Sequence, residues 1–259
     1  MSLILVPVAD RPECARALNS AFDLGRRLGA TILGCHMRPH RVQAVKRGSA
    51  RALALYEKIA AENAYVLSRR AKATPTALWS ERVGSADTLM GIVGPVADLI
   101  VVSRPAKTDG AADAFMMSAL VSTGRPVLIL PQRSRKRIGK RVCIAWDQSV
   151  AASIAVTPGI PILQQADEVT IVTCGPEDKP GPKATLLARY LTSWGIESRR
   201  VRTRGHDIEK ELLGEYRKAG SDLLIGGAYS RSRWRERVFG GTTEFLIRKA
   251  RIPVLLRHV

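Results

Sequence analysis

The sequence repeats one arrangement of apolar and amphipathic segments, and this internal repeat restricts the fold more than any other feature. Residues 98–102 (DLIVV) match 222–226 (DLLIG), and residues 124–130 (GRPVLIL) match 251–257 (RIPVLLR). In both halves, short apolar runs typical of buried strands alternate with longer segments of helical periodicity. Such alternation predicts parallel sheets covered by helices on both faces. We therefore expect an α/β fold with two tandem doubly wound domains, each built on a five-stranded parallel sheet.

A basic segment separates the two copies. Residues 133–140 read RSRKRIGK and follow the last apolar run of the first half. A solvated linker is the main interpretation of this segment, and a phosphate-binding arm is the alternative. We therefore expect domains at 1–132 and 141–259. Within the first domain, the alanine- and leucine-rich segment 42–73 predicts one long helix.

The chain is strongly basic. Its 41 lysine and arginine residues exceed its 23 acidic residues, which gives a net charge of +18. Such a field attracts nucleic acid, acidic lipid, nucleotides and acidic proteins. Aromatic residues make up only 5% of the chain, and no run mixes basic and aromatic residues in the way that base stacking requires. Nucleic-acid binding is therefore not favoured, although the charge leaves it open.

The sequence contains no sign of a membrane segment or of secretion. No apolar run approaches the roughly 20 residues that span a bilayer, and the first strand begins at Leu3 without a basic leader. The four cysteines are scattered without a CxxC pair, which favours buried thiols over disulfides. His36 and His40 have no nearby carboxylate, so no metal site is predicted. We expect a cytoplasmic protein with no membrane partner.

The stretch 222–256 has the local chemistry of an anion site. An apolar run ends at the glycine pair 226–227, and a second pair, 240–241, opens an amphipathic segment with two threonines. Glycines let backbone N–H groups approach a ligand closely, and a helix N-terminus has unpaired N–H groups and a partial positive charge. The alternative is that the glycines only make turns and that a threonine only caps the helix.

Gly227, Ser230 and Gly240 follow one another with two and nine residues between them. This spacing resembles the nucleotide loop of the universal stress protein family, which reads Gly-x2-Gly-x9-Gly-Ser/Thr. Ser230 stands where that loop has its second glycine, and Gly241 stands at the Ser/Thr position, with threonines after it. The resemblance includes the apolar runs before and after the loop and extends over nearly the whole chain as two tandem domains.

This resemblance implies that the second domain binds ATP or a related adenine nucleotide, accompanied by Mg²⁺. Asp147 corresponds to an acid that lies against the base, whereas a cap of the next helix is its other interpretation. Thr173 corresponds to a backbone contact with adenine, whereas an ordinary strand end is the alternative. The implied nucleotide-binding residues are Ala145, Asp147, Thr173, Gly226, Gly227, Tyr229, Ser230, Gly240, Gly241, Thr242 and Thr243.

The first domain lacks this loop. Its counterpart at 105–118 contains no paired glycines, and Asp10 is displaced by one position from the expected acid. We therefore expect a degenerate, structural copy and at most one nucleotide per chain. The family resemblance also implies that the two domains pair as an intramolecular pseudo-dimer, and it leaves a homodimer open.

Three classes of function remain at this point. They are a nucleotide-binding stress-response or regulatory protein, an interaction module with a vestigial loop, and a basic adaptor for a polyanion. The sequence has no Walker loop, no GxGxxG fingerprint and no recognisable set of catalytic residues. Slow ATP hydrolysis is the most that the resemblance suggests. Ser230 and Gly241 discriminate between the first two classes, and clustering of the arginines would favour the third.

Overall fold

The computed structural model describes residues 1–38, 45–70, 72, 74–105, 110–132, 137–228 and 241–258. The chain divides into two compact units, Met1–Arg137 and Ile138–Val259. The boundary falls within the basic segment 133–140. Both units alternate strands with helices, and the strands of the described residues pair in parallel within each unit. The predicted α/β class is therefore confirmed.

The first unit contains six strands among its described residues, one more than predicted. Its elements are β1 (Leu3–Pro7), α1 (Pro12–Leu28), β2 (Thr31–Arg38), α2 (Val45–Glu62), β3 (Leu67–Ser68), β4 (Ala77–Val83), α3 (Ala86–Val93), a short 3₁₀ helix (Gly94–Val96), β5 (Leu99–Ser103), α4 (Ala111–Ser122) and β6 (Val127–Leu130). The strand order is β3-β4-β2-β1-β5-β6. The additional strand is β3, a two-residue pairing with β4 at the edge of the sheet.

The prediction of one helix over 42–73 is wrong after Glu62, in about the last third of the segment. Helix α2 ends at Glu62, and Ala64 adopts a left-handed φ of 60°. The Tyr65 N–H donates to the Ala60 carbonyl at 2.9 Å, which closes the helix end. The Tyr65 hydroxyl then donates to the buried Ala30 carbonyl at 2.8 Å. The buried aromatic ring therefore turns the chain inward at a point where residue propensity alone would continue the helix.

The second unit contains five strands among its described residues. Its elements are β7 (Arg141–Ala145), α5 (Val150–Leu163), β8 (Glu168–Cys174), α6 (Ala184–Thr192), β9 (Arg199–Thr203), α7 (Ile208–Lys218), β10 (Leu223–Ala228), α8 (Gly241–Arg248) and β11 (Val254–His258). The strand order is β11-β10-β7-β8-β9. From β7 the chain proceeds through β8 to β9 on one side, then returns to add β10 and β11 on the other. Ligands of such folds bind beyond the carboxyl ends of the strands, where this order reverses.

The core of the second unit lies on both faces of this sheet. Leu224 and Ile225 are fully buried in the interior strand β10, as a continuous apolar run predicts for a parallel sheet. Helix α5 is continuous from Val150 to Leu163 although it contains Pro158 and Pro161. Burial of its apolar residues against β10 and β11 offsets the loss of the proline N–H groups.

An aspartate fixes the start of the first strand in each unit. Asp222 accepts hydrogen bonds from the backbone N–H groups of residues 139–141 at 2.8–3.2 Å. Asp98 accepts from the N–H groups of Ser2 and Leu3 at 2.6 and 3.0 Å. These two aspartates occupy equivalent positions of the internal repeat. In each unit, backbone hydrogen bonds to an aspartate carboxylate thus hold the amino end of the first strand.

None of the helices among the described residues has the length and apolarity that crossing a membrane requires.

Candidate functional site

A cleft of about 420 Å³ opens at the carboxyl ends of β7, β8 and β10 in the second unit. This is the edge at which the strand order reverses, the place where folds of this type commonly bind ligands, so the cleft is a candidate site. Its lining residues come from the strand ends, from α5, α7 and α8, and from the loop after β8. They are Ala145, Trp146, Asp147, Ser149, Ala151, Val172, Cys174, Lys179, Ile208, Leu212, Gly226, Gly227, Gly241, Thr242, Thr243 and Leu246.

Asp147 follows the end of β7 and lines this cleft. Its Oδ1 accepts a hydrogen bond from the Ser149 N–H at 3.1 Å, and its Oδ2 lies 3.6 Å from the Lys179 Nζ. The N-cap of α5 is Ser149, whose side chain accepts from the Ala152 N–H at 3.1 Å. The Asp147 side chain is 58% exposed. Its carboxylate is therefore not consumed by helix capping and can accept a hydrogen bond from a ligand.

The glycine pair at the end of β10 also lines the cleft, but its two members differ in their surroundings. A Cβ at Gly227 would lie 2.6 Å from backbone atoms of Ala151 and Ala152 in the first turn of α5. A Cβ at Gly226 would meet the side chains of Ala145, Leu224 and Leu256 at 3.6–3.9 Å, which are ordinary van der Waals distances. Gly227 therefore lets β10 approach α5, which is a packing role distinct from any contact with a ligand.

Helix α8 begins at Gly241, and its first three residues face the cleft. A Cβ added at Gly241 would meet no atom within 4 Å, so this position is open. The first turn of a helix presents unpaired N–H groups and the positive end of the helix dipole. Thr242 and Thr243 add two hydroxyl groups to the same turn. This end of the cleft is suited to an anion.

Apolar side chains from β8 and α7 also line the cleft, and their sequence pattern does not predict this role. Val172 and Cys174 come from β8, and Ile208 and Leu212 come from α7. Their periodicity is that of ordinary core residues, which is why no sequence signal distinguishes them. Such a surface is suited to a flat ring.

Thr173 lies between two of these residues but its side chain does not line the cleft. It is buried at 3% exposure, because successive side chains of a strand point to opposite faces. Tyr229, Ser230 and Gly240 of the predicted site lie outside the described residues. The remaining predicted residues, Ala145, Asp147, Gly226, Gly227, Gly241, Thr242 and Thr243, all line the one cleft.

The loop after β8 brings Lys179 to Asp147. The Trp146 Nε1 donates to the Pro182 carbonyl at 2.8 Å, and the Ala184 N–H donates to the Glu177 carboxylate at 2.6 Å. A Cβ at Gly181 would fall on the carbonyl oxygen of Gln148, so only glycine permits this approach. Trp146 is buried. These contacts fix the loop over the acid.

Glu211 fixes the start of α7, which supplies Ile208 and Leu212 to the cleft. Its carboxylate accepts hydrogen bonds from the N–H groups of Gly205 at 2.7 Å and His206 at 2.9 Å. The nearby Thr203 hydroxyl and then the hydrogen bonds from these backbone groups lower the pKa of Glu211 from 4.5 to about 2.

This lowered pKa predicts an acid-dependent loss of stability. A carboxylate with a depressed folded-state pKa stabilises the protein above its unfolded pKa, and that contribution is lost as the pH falls through the folded value. We expect Glu211→Gln to lower the melting temperature at neutral pH. The difference from the parent protein should shrink between pH 4.5 and about 2 and vanish below. Thermal melts across this range measure it, with Glu209→Gln as the control, and a difference that is independent of pH would contradict the assignment.

No group of three or more potential metal ligands from histidine, cysteine, aspartate and glutamate occurs within the part of the chain that the structure describes.

Comparison with known proteins identifies the family of the segment that supplies most of the residues lining this cleft. Residues 161–258 match the model of the universal stress protein family. This segment is a universal stress protein domain. The match begins after Asp147 and includes β8 to β11, with the glycine pair of β10 and the threonines of α8. No curated protein sequence matches the chain.

Solved structures share the fold over the full length of the chain. A universal stress protein from Archaeoglobus fulgidus DSM 4304 superposes with a TM-score of 0.79 at 15% identity, covering 99% of this chain and 98% of its own. A functionally unknown protein from Pseudomonas aeruginosa PAO1 superposes with a TM-score of 0.63 at 14% identity, covering 100% of this chain and 92% of its own. The fold of the whole chain, including the segment that matches the universal stress protein family, is therefore shared with solved structures.

Proposed function

We propose that the second unit binds ATP or a related adenine nucleotide in the 420 Å³ cleft, as a regulatory ligand. One observation supports this most strongly. A single cleft contains an exposed acid after β7, an apolar surface from β8 and α7, and the start of α8. These features suit the amino group and ring of a base at one end and phosphates at the other.

The base fits the end of the cleft formed by Asp147 and the apolar residues. The carboxylate only accepts hydrogen bonds, whereas the exocyclic amine of adenine donates them. Val172, Ile208 and Leu212 offer apolar contact to the ring. Adenine is therefore a better match for this end than a base that presents a carbonyl oxygen at the corresponding position.

The phosphates fit the end formed by α8. Backbone N–H groups of residues 241–243, the hydroxyls of Thr242 and Thr243, and the helix dipole all favour negative charge. Arg231 and Arg233, which could reach the outer phosphate, lie outside the described residues. A magnesium ion would accompany the phosphates.

The proposal is for binding without rapid turnover. Fast hydrolysis requires a group that positions or deprotonates water beside the outer phosphate. The described lining residues contain one carboxylate, Asp147, and it lies at the base end. A regulatory protein that responds to nucleotide level matches these residues better than an ATPase does.

Calorimetric titration of the full chain with MgATP tests this proposal. We expect one ATP per chain, and we expect Asp147→Ala to weaken binding by about 1–3 kcal/mol, or about 5- to 150-fold in Kd, because a hydrogen bond to a charged group is lost. Asp178→Ala is the matched control, since Asp178 is an exposed acid of the neighbouring loop that does not line the cleft. Equal effects of the two substitutions would overturn the assignment of Asp147. Absence of ATP binding by the parent protein would favour an interaction module with a vestigial loop.

A further inference from the structure

The edge strand β9 leaves one side of its backbone available for pairing. It pairs in parallel with β8 and stands last in the strand order of the second unit. No other strand of the described residues pairs with it. Such an edge presents N–H and C=O groups that can accept an additional strand.

Arg200 and Arg202 share one face of β9, and Arg204 is the first residue after the strand. Arg200, Arg202 and Arg204 are all exposed and alternate with Val201 and Thr203, which are partly buried. Alternate residues of a strand share a face and lie roughly 6.6 Å apart. An extended peptide that pairs with the strand has its own alternate side chains at the same spacing. Acidic side chains at those positions can therefore meet the arginines one for one.

A second cleft, of about 550 Å³, lies at the carboxyl end of the same strand. Its lining residues are Gly175, Pro176, Arg202, Thr203, Arg204 and His206. Every ionisable side chain among them is basic. The cleft therefore extends the arginine face into a concave site that favours carboxylates.

Two acids that follow β9, Glu211 and Asp207, do not neutralise these arginines. Glu211 is hydrogen-bonded to the backbone of the turn after β9, and the Asp207 Oδ2 pairs with the Lys210 Nζ at 2.8 Å. Among the described residues, no carboxylate lies within ion-pair distance of Arg200, Arg202 or Arg204. The positive charge of this face is therefore available to a partner.

We propose that β9 and the adjoining cleft dock an extended acidic segment of a partner protein. The segment adds to the open edge as a strand, and its alternate carboxylates pair with Arg200, Arg202 and Arg204. A second copy of the same edge is not the occupant, because like charges would face each other. Single-stranded nucleic acid fits less well, because apart from His206 the described cleft residues offer no ring on which bases could stack. The proposal is independent of nucleotide binding.

Two peptides of identical composition test whether binding to β9 requires carboxylates at alternate positions. In one, glutamate and valine alternate over about seven residues, the length of an ordinary strand; in the other, the glutamates are contiguous. Fluorescence anisotropy at about 0.15 M ionic strength should show tighter binding of the alternating peptide. Hydrogen exchange should show that this peptide protects backbone amides of β9, which side-chain attraction alone would not do. Equal binding of both peptides, or binding without amide protection, would overturn the proposal.

Charge variants locate the site. We expect the double substitution Arg202→Gln with Arg204→Gln to weaken binding of the alternating peptide about tenfold, because two exposed ion pairs are lost. The matched control, Arg189→Gln with Arg217→Gln, removes the same charge from exposed positions of α6 and α7. Equal losses in the two variants would show attraction by net charge only. Tighter binding of oligothymidylate than of the alternating peptide would assign the face to nucleic acid instead, and either result overturns the proposal.

Discussion

Replacing Gly227 with alanine is expected to destabilise the second unit by about 1–3 kcal/mol. A Cβ at this position would lie 2.6 Å from backbone atoms of Ala151 and Ala152. Backbone atoms of a helix cannot rotate away as a side chain can, so β10 and α5 must separate. Their contact buries Ile225 and several apolar residues of α5, and part of this burial is lost. Denaturant unfolding of the full chain measures the change.

Gly226→Ala is the control for this prediction, because the added Cβ meets neighbouring side chains only at ordinary van der Waals distances of 3.6–3.9 Å. The two glycines are adjacent in one strand, so they share its backbone environment. We expect the Gly226 variant to stay within about 0.5 kcal/mol of the parent protein, apart from the propensity difference between the two residues. Equal stability of the two variants would show that the packing of β10 on α5 does not require glycine at 227.

Replacing Gly241 with valine is expected to weaken ATP binding by about 10- to 150-fold without loss of stability. A Cβ at Gly241 meets no atom within 4 Å, so the fold accommodates the side chain. The branched side chain would, however, cover the N–H groups at the start of α8. Loss of hydrogen bonds to a charged phosphate costs about 1.5–3 kcal/mol, which corresponds to this change in Kd. Calorimetric titration measures the affinity, and thermal unfolding measures the stability.

Gly214→Val provides the matched control for that experiment. Gly214 lies within α7, and a Cβ there also meets no atom within 4 Å, but this residue does not line the cleft. We expect it to bind ATP as the parent protein does. This prediction depends on the proposed nucleotide site. If Gly241→Val keeps full affinity while the parent protein binds one ATP, then the phosphates lie elsewhere and the cleft is assigned wrongly.

The fold class could be predicted because the apolar runs and the intervening helices follow different periods. The run at 222–226 predicted a strand, and β10 begins at Leu223 and is almost fully buried. The end of α2 could not be predicted in the same way. The residues after Glu62 are compatible with a helix, and it is the burial of Tyr65 that ends it. Tertiary packing overrides local propensity at such points.

The candidate site could be predicted where its residues are chemically unusual and not where they are ordinary. Asp147 and the glycine pairs stand out in the sequence as an acid and as turn formers at strand ends. Val172 and Ile208 are apolar residues among many others, and only the fold brings them beside the acid. The pairing of Lys179 with Asp147 likewise could not be predicted from the sequence. It depends on the loop after β8, in which Gly181 packs closely against the Gln148 carbonyl.

Asp98 and Asp222 stabilise each unit at one end of its strands, and the ligand binding proposed for the second unit takes place at the other end. They hold the amino end of the sheet, whereas the cleft of the second unit lies at the carboxyl end. At the position equivalent to Gly227, the first unit has Ser103, whose hydroxyl donates to the Glu13 carbonyl at 2.6 Å. Substitutions at the carboxyl end can therefore alter ligand preference while the strand order survives. The two units of one chain can therefore differ in ligand specificity while both retain the same fold.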